Sequence, residues 1–285
     1  MIRLSWALIG LAAGSALMLL SGCAGAMSQS DAMAYLVQAG QLSSDVALYR
    51  KHDWPADGYQ ISDSVLRADG KVLQTFDFAP WGSAEFGSDG GQMLEIGADG
   101  TVRVLETRDG GKPYDQFFVG RKCWNWSTLS PGTGWLVWKA DVGPAPRAAI
   151  ATLGDSADPN ACPPLNRALT RYWSGIGMFP FRAGGANVDR MVQVIASEHY
   201  DHASITASVN MERMYFGRGW GLIAWEAWSK TRADGYRITE RCPPIPWRDT
   251  PAADGYRLVD CRIWTNIVTQ PEGSVWVVDQ FGWPQ

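Results

Sequence analysis

Asp-Gly dipeptides punctuate this chain between runs of alternating apolar and polar residues, and they limit the folds available to it. Seven occur, with the Asp at positions 57, 69, 89, 99, 109, 234 and 254. Asp-Gly is a strong short-range signal for a tight β-hairpin, because Gly adopts the positive φ that such turns require. The clearest example separates the runs 92–96 and 101–105 by Ala98-Asp99-Gly100. The chain is therefore predicted to be rich in antiparallel hairpins.

Many other short segments have the composition of strands. They cover residues 59–66, 71–79, 114–119, 134–140, 147–153, 188–198, 203–216, 219–229, 256–268 and 274–281. Residues 187–199 also fit a helical face, but their β-branched side chains favour a strand. Short strands separated by turn signals are typical of an all-β fold, a β-sandwich or jelly roll. Since no segment resembles an interdomain linker, we expect a single domain over residues 57–285.

Residues 31–50 have the pattern of two short helices before this domain. Asp31 is placed to cap the first helix, and Ser43 or Ser44 the second. Together with a small, polar tether these helices make residues 23–56 a separate N-terminal segment.

The first 23 residues form an export signal. A short positive start is followed by an apolar stretch from Leu4 to Leu20, and this stretch ends in Leu20-Ser21-Gly22-Cys23. These four residues resemble the lipobox of bacterial lipoproteins. The resemblance implies that residues 1–22 are removed, that Cys23 is acylated, and that the protein is anchored in the cell envelope. Ala24 in place of Asp implies the outer membrane; a plain secretory signal with a coincidental Cys is the alternative.

Composition excludes several classes of protein. Apolar residues make up 46% of the chain and charged residues 19%, which excludes a disordered chain. The net charge of -4, without basic tracts, argues against nucleic acid as a partner. No phosphate-binding loop or dinucleotide fingerprint is found, so no cofactor is expected.

Four cysteines remain after Cys23 is set aside: Cys123, Cys162, Cys242 and Cys261. An even number in an exported chain predicts two disulfides. Pairing of neighbours closes the shortest loops and is preferred, although four cysteines allow three pairings. A zinc site is the alternative, but no C-x-x-C occurs and the chain has three histidines. No metal site is therefore predicted.

Tryptophan is abundant, with fifteen residues. Its flat face stacks on the C–H bonds of a sugar ring, so exposed tryptophans in an exported β-sandwich indicate carbohydrate binding. The alternative is that these rings fill the core between two sheets. We expect Trp220, Trp225 and Trp228 to line a glycan-binding groove, with Arg218 beside them.

Residues 211–228 are predicted to form a hairpin that carries two carboxylates. A turn centred on Gly219 places Glu212 directly opposite Glu226, and such a close pair suits a general acid with a nucleophile or base. A turn at Arg218-Gly219 instead pairs Glu212 with Trp225 and puts the two acids on opposite faces. Either glutamate is also placed to pair with an arginine.

Glu198-His199-Tyr200 leads towards this hairpin, and we assign it to the same candidate groove. His199 and Tyr200 are candidate acid/base residues, and Glu198 a candidate ligand-binding residue. The alternative is a polar strand end with hydrogen-bonded imidazoles.

The sequence thus predicts a lipid-anchored envelope protein that binds a polysaccharide or related glycan in an aromatic groove. One alternative is a glycoside hydrolase or lyase that uses Glu212 and Glu226 on the same groove. Another is a structural envelope lipoprotein whose tryptophans are all in the core.

Overall fold

The computed structural model describes residues 26–38, 41–44, 58–80, 87–109, 115–119, 134–156, 166–183, 186–231 and 255–268. These residues form one helix and fourteen strands. In chain order they are α1 (Gln29–Leu36), β1 (Gln41–Ser44), β2 (Gly58–Leu66), β3 (Val72–Pro80), β4 (Gly87–Ile96), β5 (Val102–Asp109), β6 (Asp115–Val119), β7 (Trp135–Trp138), β8 (Arg147–Ser156), β9 (Asn166–Ala183), β10 (Ala186–Tyr200), β11 (Asn210–Gly217), β12 (Gly221–Ser229), β13 (Arg257–Ile263) and β14 (Asn266–Val268). Within these ranges no helix is long and apolar enough to cross a membrane.

The strands form two antiparallel sheets that share β8. The hydrogen-bonded order is β13-β12-β11-β10-β9-β8-β6-β5-β4-β3-β2-β1-β14, with β7 beside β5. The first part of β8 pairs with β9 of the second sheet, and its last residues pair with β6 of the first sheet. This confirms the prediction of an all-β sandwich. Most neighbouring strands are consecutive in the chain, with the exceptions that β14 lies beside β1, β7 beside β5 and β8 beside β6. This order of the described strands differs from the two Greek keys of a jelly roll.

Two of the Asp-Gly dipeptides close hairpins of the same construction. Gly70 in the β2–β3 turn and Gly100 in the β4–β5 turn both have φ of 80°. In each turn the Asp carboxylate accepts a hydrogen bond from the backbone N–H two residues later, at 3.2 Å for Asp69 and 3.0 Å for Asp99. A three-residue hairpin loop requires one residue in the left-handed region, and Gly supplies it.

Helix α1 closes one end of the sandwich, which we call the helix end. Gln29 Nε2 donates to the Ile96 carbonyl at the end of β4, at 3.3 Å. The Ala34 carbonyl accepts a bond from the Gly219 N–H in the β11–β12 turn, at 2.6 Å. The helix therefore bridges the two sheets. The opposite end, where residues 201–209 connect β10 to β11, is called the loop end.

Strand β7 packs against β9 and β10, and its contacts show which face of those strands points inward. The Ser197 hydroxyl donates to the Val137 carbonyl at 2.6 Å, and the Thr170 hydroxyl donates to the Leu136 carbonyl at 2.9 Å. All four residues are buried within the core between the sheets. The face of β10 that carries Ser197 is therefore the inner face of the second sheet.

Most of the predicted elements that lie in the described residues are confirmed, including a strand at 187–199. The first helix is also confirmed, but its N-cap is Ser28, whose hydroxyl accepts a bond from the Asp31 N–H at 3.1 Å. The predicted second helix is wrong at its start. Gln41–Ser44 form β1, because pairing with β2 and β14 overrides the local capping signal.

Two further differences concern strands. Residues 203–209 lie in the connection between β10 and β11 instead of a strand. The eighteen-residue β9 was not predicted, since Gly175, Gly177 and Pro180 interrupt its strand pattern. The predicted strand 274–281 lies outside the described residues, as do Cys23, Cys123, Cys162 and Cys242. The cysteine pairing therefore stays a prediction.

Candidate functional site

The β11–β12 hairpin turns about Gly219 as predicted, but the predicted carboxylate pair is not formed. A β-bulge inserts Ile223 as one extra residue on β12. One extra residue exchanges the two faces of a strand relative to its partner. Arg213, and not Glu212, therefore lies opposite Glu226. The carboxylates of Glu212 and Glu226 lie on opposite faces of the sheet, and the register predicted for a turn at Gly219 holds only next to the turn, at Phe216–Leu222 and Gly217–Gly221.

Glu226 belongs to a buried set of four charges, which we call the charge cluster: Glu198, Arg213, Glu226 and Arg171. Arg213 Nε and Nη2 donate to Glu198 Oε1 at 3.0 and 2.6 Å. Arg213 Nη1 lies 3.6 Å from Glu226 Oε2, and Arg171 Nη1 lies 3.2 Å from Glu198 Oε2. Only Arg171 has substantial exposure, at 32% of its side chain. Two cations face two carboxylates, so these charges balance.

Hydroxyl and indole groups complete the hydrogen bonding of both carboxylates. The Tyr200 hydroxyl donates to Glu198 Oε2 at 2.7 Å. The Tyr215 hydroxyl and Trp228 Nε1 donate to Glu226 Oε2 at 3.1 and 3.0 Å. The buried carboxylates are thus held by several donors each, as buried charges require.

The electrostatics of the cluster favour a structural role. Burial opposes the charge of Arg213, but Tyr215, Glu198 and Glu226 outweigh it, so the pKa of Arg213 lies above its ordinary range. Burial and the adjacent Glu198 carboxylate raise the pKa of Tyr200. A tyrosine with a raised pKa is a poor base at neutral pH, which argues against Tyr200 in the role of a base.

The inner face of the second sheet borders a cavity of about 310 Å³. Both sheets line it, and its walls include Gln92, Phe118, Trp135, His199, Glu212 and Met214. The floor around Gln92 and His199 is buried, with 6% and 3% exposure. Asp201, Asn210 and Glu212 at the loop end are exposed to solvent. The cavity therefore opens at the loop end, opposite helix α1.

His199, a residue of the cavity wall, carries a buried hydrogen-bond acceptor without a partner. Its ring stacks on Trp135 with centroids 5.0 Å apart. One ring nitrogen bonds the Leu136 carbonyl, whereas Nε2 has no hydrogen-bond partner. Burial lowers the pKa of His199 to about 3, so the ring is neutral at physiological pH. With Nδ1 as the donor to the carbonyl, Nε2 carries a free lone pair.

Glu212 lies directly opposite His199 on the neighbouring strand. Its side chain is exposed, and it lines the cavity. Desolvation by the nearby protein raises the pKa of Glu212, and a hydrogen bond with the Trp225 side chain opposes the shift. The site therefore favours the uncharged acid at this position.

Asp201 shapes the rim of the cavity. It accepts hydrogen bonds from the Ser208 hydroxyl and from the backbone N–H groups of Val209 and Asn210, the latter two at 3.0 and 2.9 Å. Burial opposes its charge, but these donors outweigh that effect and lower the pKa of Asp201. Its carboxylate is thus committed to holding the 201–209 connection.

The three tryptophans assigned to a groove do not share one. Trp228 is 4% exposed and lies on the face of the charge cluster, where the Arg213 guanidinium is 5.5 Å from its ring centroid. Trp225 is half-buried on the inner face. Trp220, in the turn at the helix end, stacks on Phe181 with centroids 4.4 Å apart.

The remaining predicted site residues are also divided between faces. Alternation along β10 puts Glu198 in the charge cluster and Tyr200 on the same face, but His199 in the cavity. Arg218 lies in the turn at the helix end, 3.5 Å from the Asp31 carboxylate, and contacts neither predicted acid. The cavity thus retains His199 and Glu212 from the predicted set.

Sequence reasoning missed the cavity residues of the first sheet. Gln92, Phe118 and Trp135 come from β4, β6 and β7. No local spacing relates them to His199, so only the aromatic character of Trp135 could have drawn attention to it. Trp135 Nε1 is buried without a hydrogen-bond acceptor. Among the described residues no set of His, Cys, Asp and Glu is arranged to hold a metal ion.

Comparison with known proteins gives no match: no family model, no curated protein and no solved structure is similar to this chain.

Proposed function

We propose that this chain is a lipid-anchored envelope protein that binds an uncharged glycan, or part of one, in the inter-sheet cavity. The observation that carries the proposal is the buried His199 Nε2, which has no partner and belongs to a residue of the cavity wall. An unpaired buried acceptor costs about 1–3 kcal/mol. A ligand that donates to it recovers part of that cost on binding.

The polar groups of the wall suit hydroxyl groups. His199 Nε2 can accept a hydrogen bond, Trp135 Nε1 can donate one, and the Glu212 carboxyl can do both when protonated. Both ring nitrogens are buried, so the two rings must shift for a ligand in the cavity to reach them. A sugar hydroxyl is itself both donor and acceptor, so one kind of ligand group satisfies all three. Apolar side chains such as Phe118 and Met214 supply the remaining wall. Few polar groups within an apolar wall are typical of small-molecule sites.

Size and charge narrow the ligand class further. A volume of about 310 Å³ lies at the lower end of the range for ligand sites, so the cavity fits one or two sugar rings and not a long polymer segment. A carboxylated sugar requires a cation in the site. Neither His199, which is neutral, nor the Glu212 carboxyl, whose pKa is raised, is a cation. We therefore expect neutral sugars to bind better than uronic acids.

The two-carboxylate enzyme mechanism has less support than binding. Its acids must flank one glycosidic bond, whereas Glu212 and Glu226 lie on opposite faces of a sheet. Glu226 is also committed to the charge cluster. If no sugar binds, the alternative hypothesis is a structural envelope protein without a ligand.

The test uses the mature chain with Cys23→Ser, exported so that disulfides can form. Calorimetric titration with neutral mono- and disaccharides and with the matching uronic acids gives the dissociation constants, and the disaccharide samples are also scored for new chain ends. Glu212→Leu removes both the donor and the acceptor and should weaken binding at least fivefold, since one hydrogen bond contributes roughly 1 kcal/mol. Glu95→Leu on β4, outside the cavity wall, is the matched control. Absence of binding across the panel, or equal affinity of both variants, would refute the proposal.

A further inference from the structure

The short tether places the acylated cysteine of the proposed function close to one particular end of the fold. Only Ala24 and Gly25 separate Cys23 from Ala26, the first described residue. Three residue steps span at most about 11 Å in a fully extended chain. Whatever conformation those residues adopt, the position of Ala26 limits how far the anchor can lie from the folded domain.

The residues after Ala26 are fixed at the helix end. The Met27 N–H donates to the Ala140 carbonyl at 2.7 Å. A Cβ on Gly100, in the β4–β5 turn, would lie 2.3 Å from the Met27 carbonyl oxygen, so the backbone at Met27 packs directly against the backbone of that turn. Ser28 then caps α1. Acyl chains on Cys23 would therefore emerge next to the helix end.

Two adjacent apolar side chains are exposed at the same end. Val65 and Leu66, at the tip of the β2–β3 hairpin, are 51% and 49% exposed. The tip also carries Arg67 and Lys71, both within 3.6 Å of Asp69. The β2–β3 and β4–β5 turns are neighbours in the first sheet. At about 4.8 Å per strand, their centres lie roughly 10 Å apart.

We propose that the helix end faces the bilayer, with Val65 and Leu66 entering its headgroup region, so that the cavity opens into the aqueous compartment on the far side. With Arg67 and Lys71 against the single carboxylate of Asp69, the tip carries a net positive charge beside an apolar pair, which matches a surface of lipid phosphates over acyl chains. The cavity mouth is about 23 Å away along β11, from Asn210 to Gly217. Its ligand therefore comes from water and not from the membrane.

This inference rests on the lipid anchor of the proposed function, and the experiment tests anchor and orientation separately. The acylated full chain, carrying Leu66→Cys labelled with an environment-sensitive fluorophore, is reconstituted into phosphatidylethanolamine–phosphatidylglycerol vesicles. Mass spectrometry establishes acylation of Cys23. Val209→Cys is the matched control, since Val209 is an exposed apolar residue at the loop end, 37% exposed.

We expect the label at position 66 to brighten severalfold and shift to the blue relative to the unacylated Cys23→Ser protein, with little change at position 209. An equal or larger response at position 209, no response at either position, or an unmodified Cys23 would overturn the proposal. Sugar affinity is measured on the Cys23→Ser protein in solution, so the proposal of glycan binding is tested independently of these results.

Discussion

Arg213 holds the charge cluster together, and its removal should cost a large part of the stability of the fold. Arg213→Met keeps most of the side-chain volume but deletes both bonds to Glu198 and the contact with Glu226. The side chains of these two carboxylates are only 2% and 0% exposed. Removal of one partner from a buried ion pair costs about 3–5 kcal/mol, because the other charge stays buried without compensation.

The structure favours the lower part of that range. Glu198 keeps Arg171 and the Tyr200 hydroxyl, and Glu226 keeps two hydrogen-bond donors. We therefore expect a loss of about 3 kcal/mol, or a melting temperature lower by about 6–12 °C for a chain of this size. Urea unfolding followed by tryptophan fluorescence at pH 7, without reductant, measures it.

Arg67→Met is the matched control for this measurement. Arg67 lies 3.6 Å from Asp69, and the side chains are 49% and 45% exposed. Exposed pairs contribute at most about 1 kcal/mol, so this variant should unfold almost as the wild type does. A loss below about 1 kcal/mol in Arg213→Met, or equal losses in both variants, would refute the assignment of a stabilising buried cluster. Because Glu226 belongs to the same cluster, Glu226→Gln is also expected to destabilise the fold. A loss of activity in that variant therefore bears on catalysis only if the stability of the variant is measured as well.

The remaining predictions concern the cavity and the turns. The pKa of Glu212 in the folded protein lies above its ordinary value of 4.5, so as the pH rises this carboxyl ionises first in the unfolded chain. The free energy of unfolding should therefore fall as the pH rises from about 4.5 until the carboxyl also ionises in the folded protein. Glu212→Gln should remove this decline, and an unchanged pH profile in that variant would contradict the prediction. The imidazole resonances of His199 should keep the neutral pattern from pH 7 to about pH 4 in NMR spectra, since its pKa is about 3; a titration near the ordinary value of 6.5 would argue against burial. Gly70→Ala should lower the free energy of unfolding by about 1–2 kcal/mol, because Gly70 has a positive φ. Gly100→Ala should lower it clearly more in the same urea assay, because its new Cβ also clashes with the Met27 carbonyl. Equal losses in the two variants would show that this contact is absent.

Hairpin turns could be predicted because contiguous residues encode them. In both Asp-Gly turns, one carboxylate binds an N–H two residues away and one glycine takes φ of 80°. Local alternation likewise identified most described strands. It failed for β1, which pairs with the distant β14. It also failed for β9, because Gly175, Gly177 and Pro180 interrupt the strand pattern although the partner β10 follows directly in the chain.

The candidate site could be predicted only in part. His199 and Glu212 were selected as polar residues on neighbouring strands, and they do meet across β10 and β11. The pairing of Glu212 with Glu226 failed because one bulged residue, Ile223, changes the register. A bulge depends on the packing of the whole sheet, and turn composition does not reveal it.

The sequence by itself determined the meander of hairpins, because turn chemistry and strand alternation act over a few residues. Only the tertiary structure decided which side chains share a face and which space they enclose. The cavity joins residues of β4 and β7 to residues of β10 and β11, and the charge cluster depends on a one-residue bulge. Such contacts are non-local: their free energy depends on how two sheets pack against each other, which no single segment of the chain encodes.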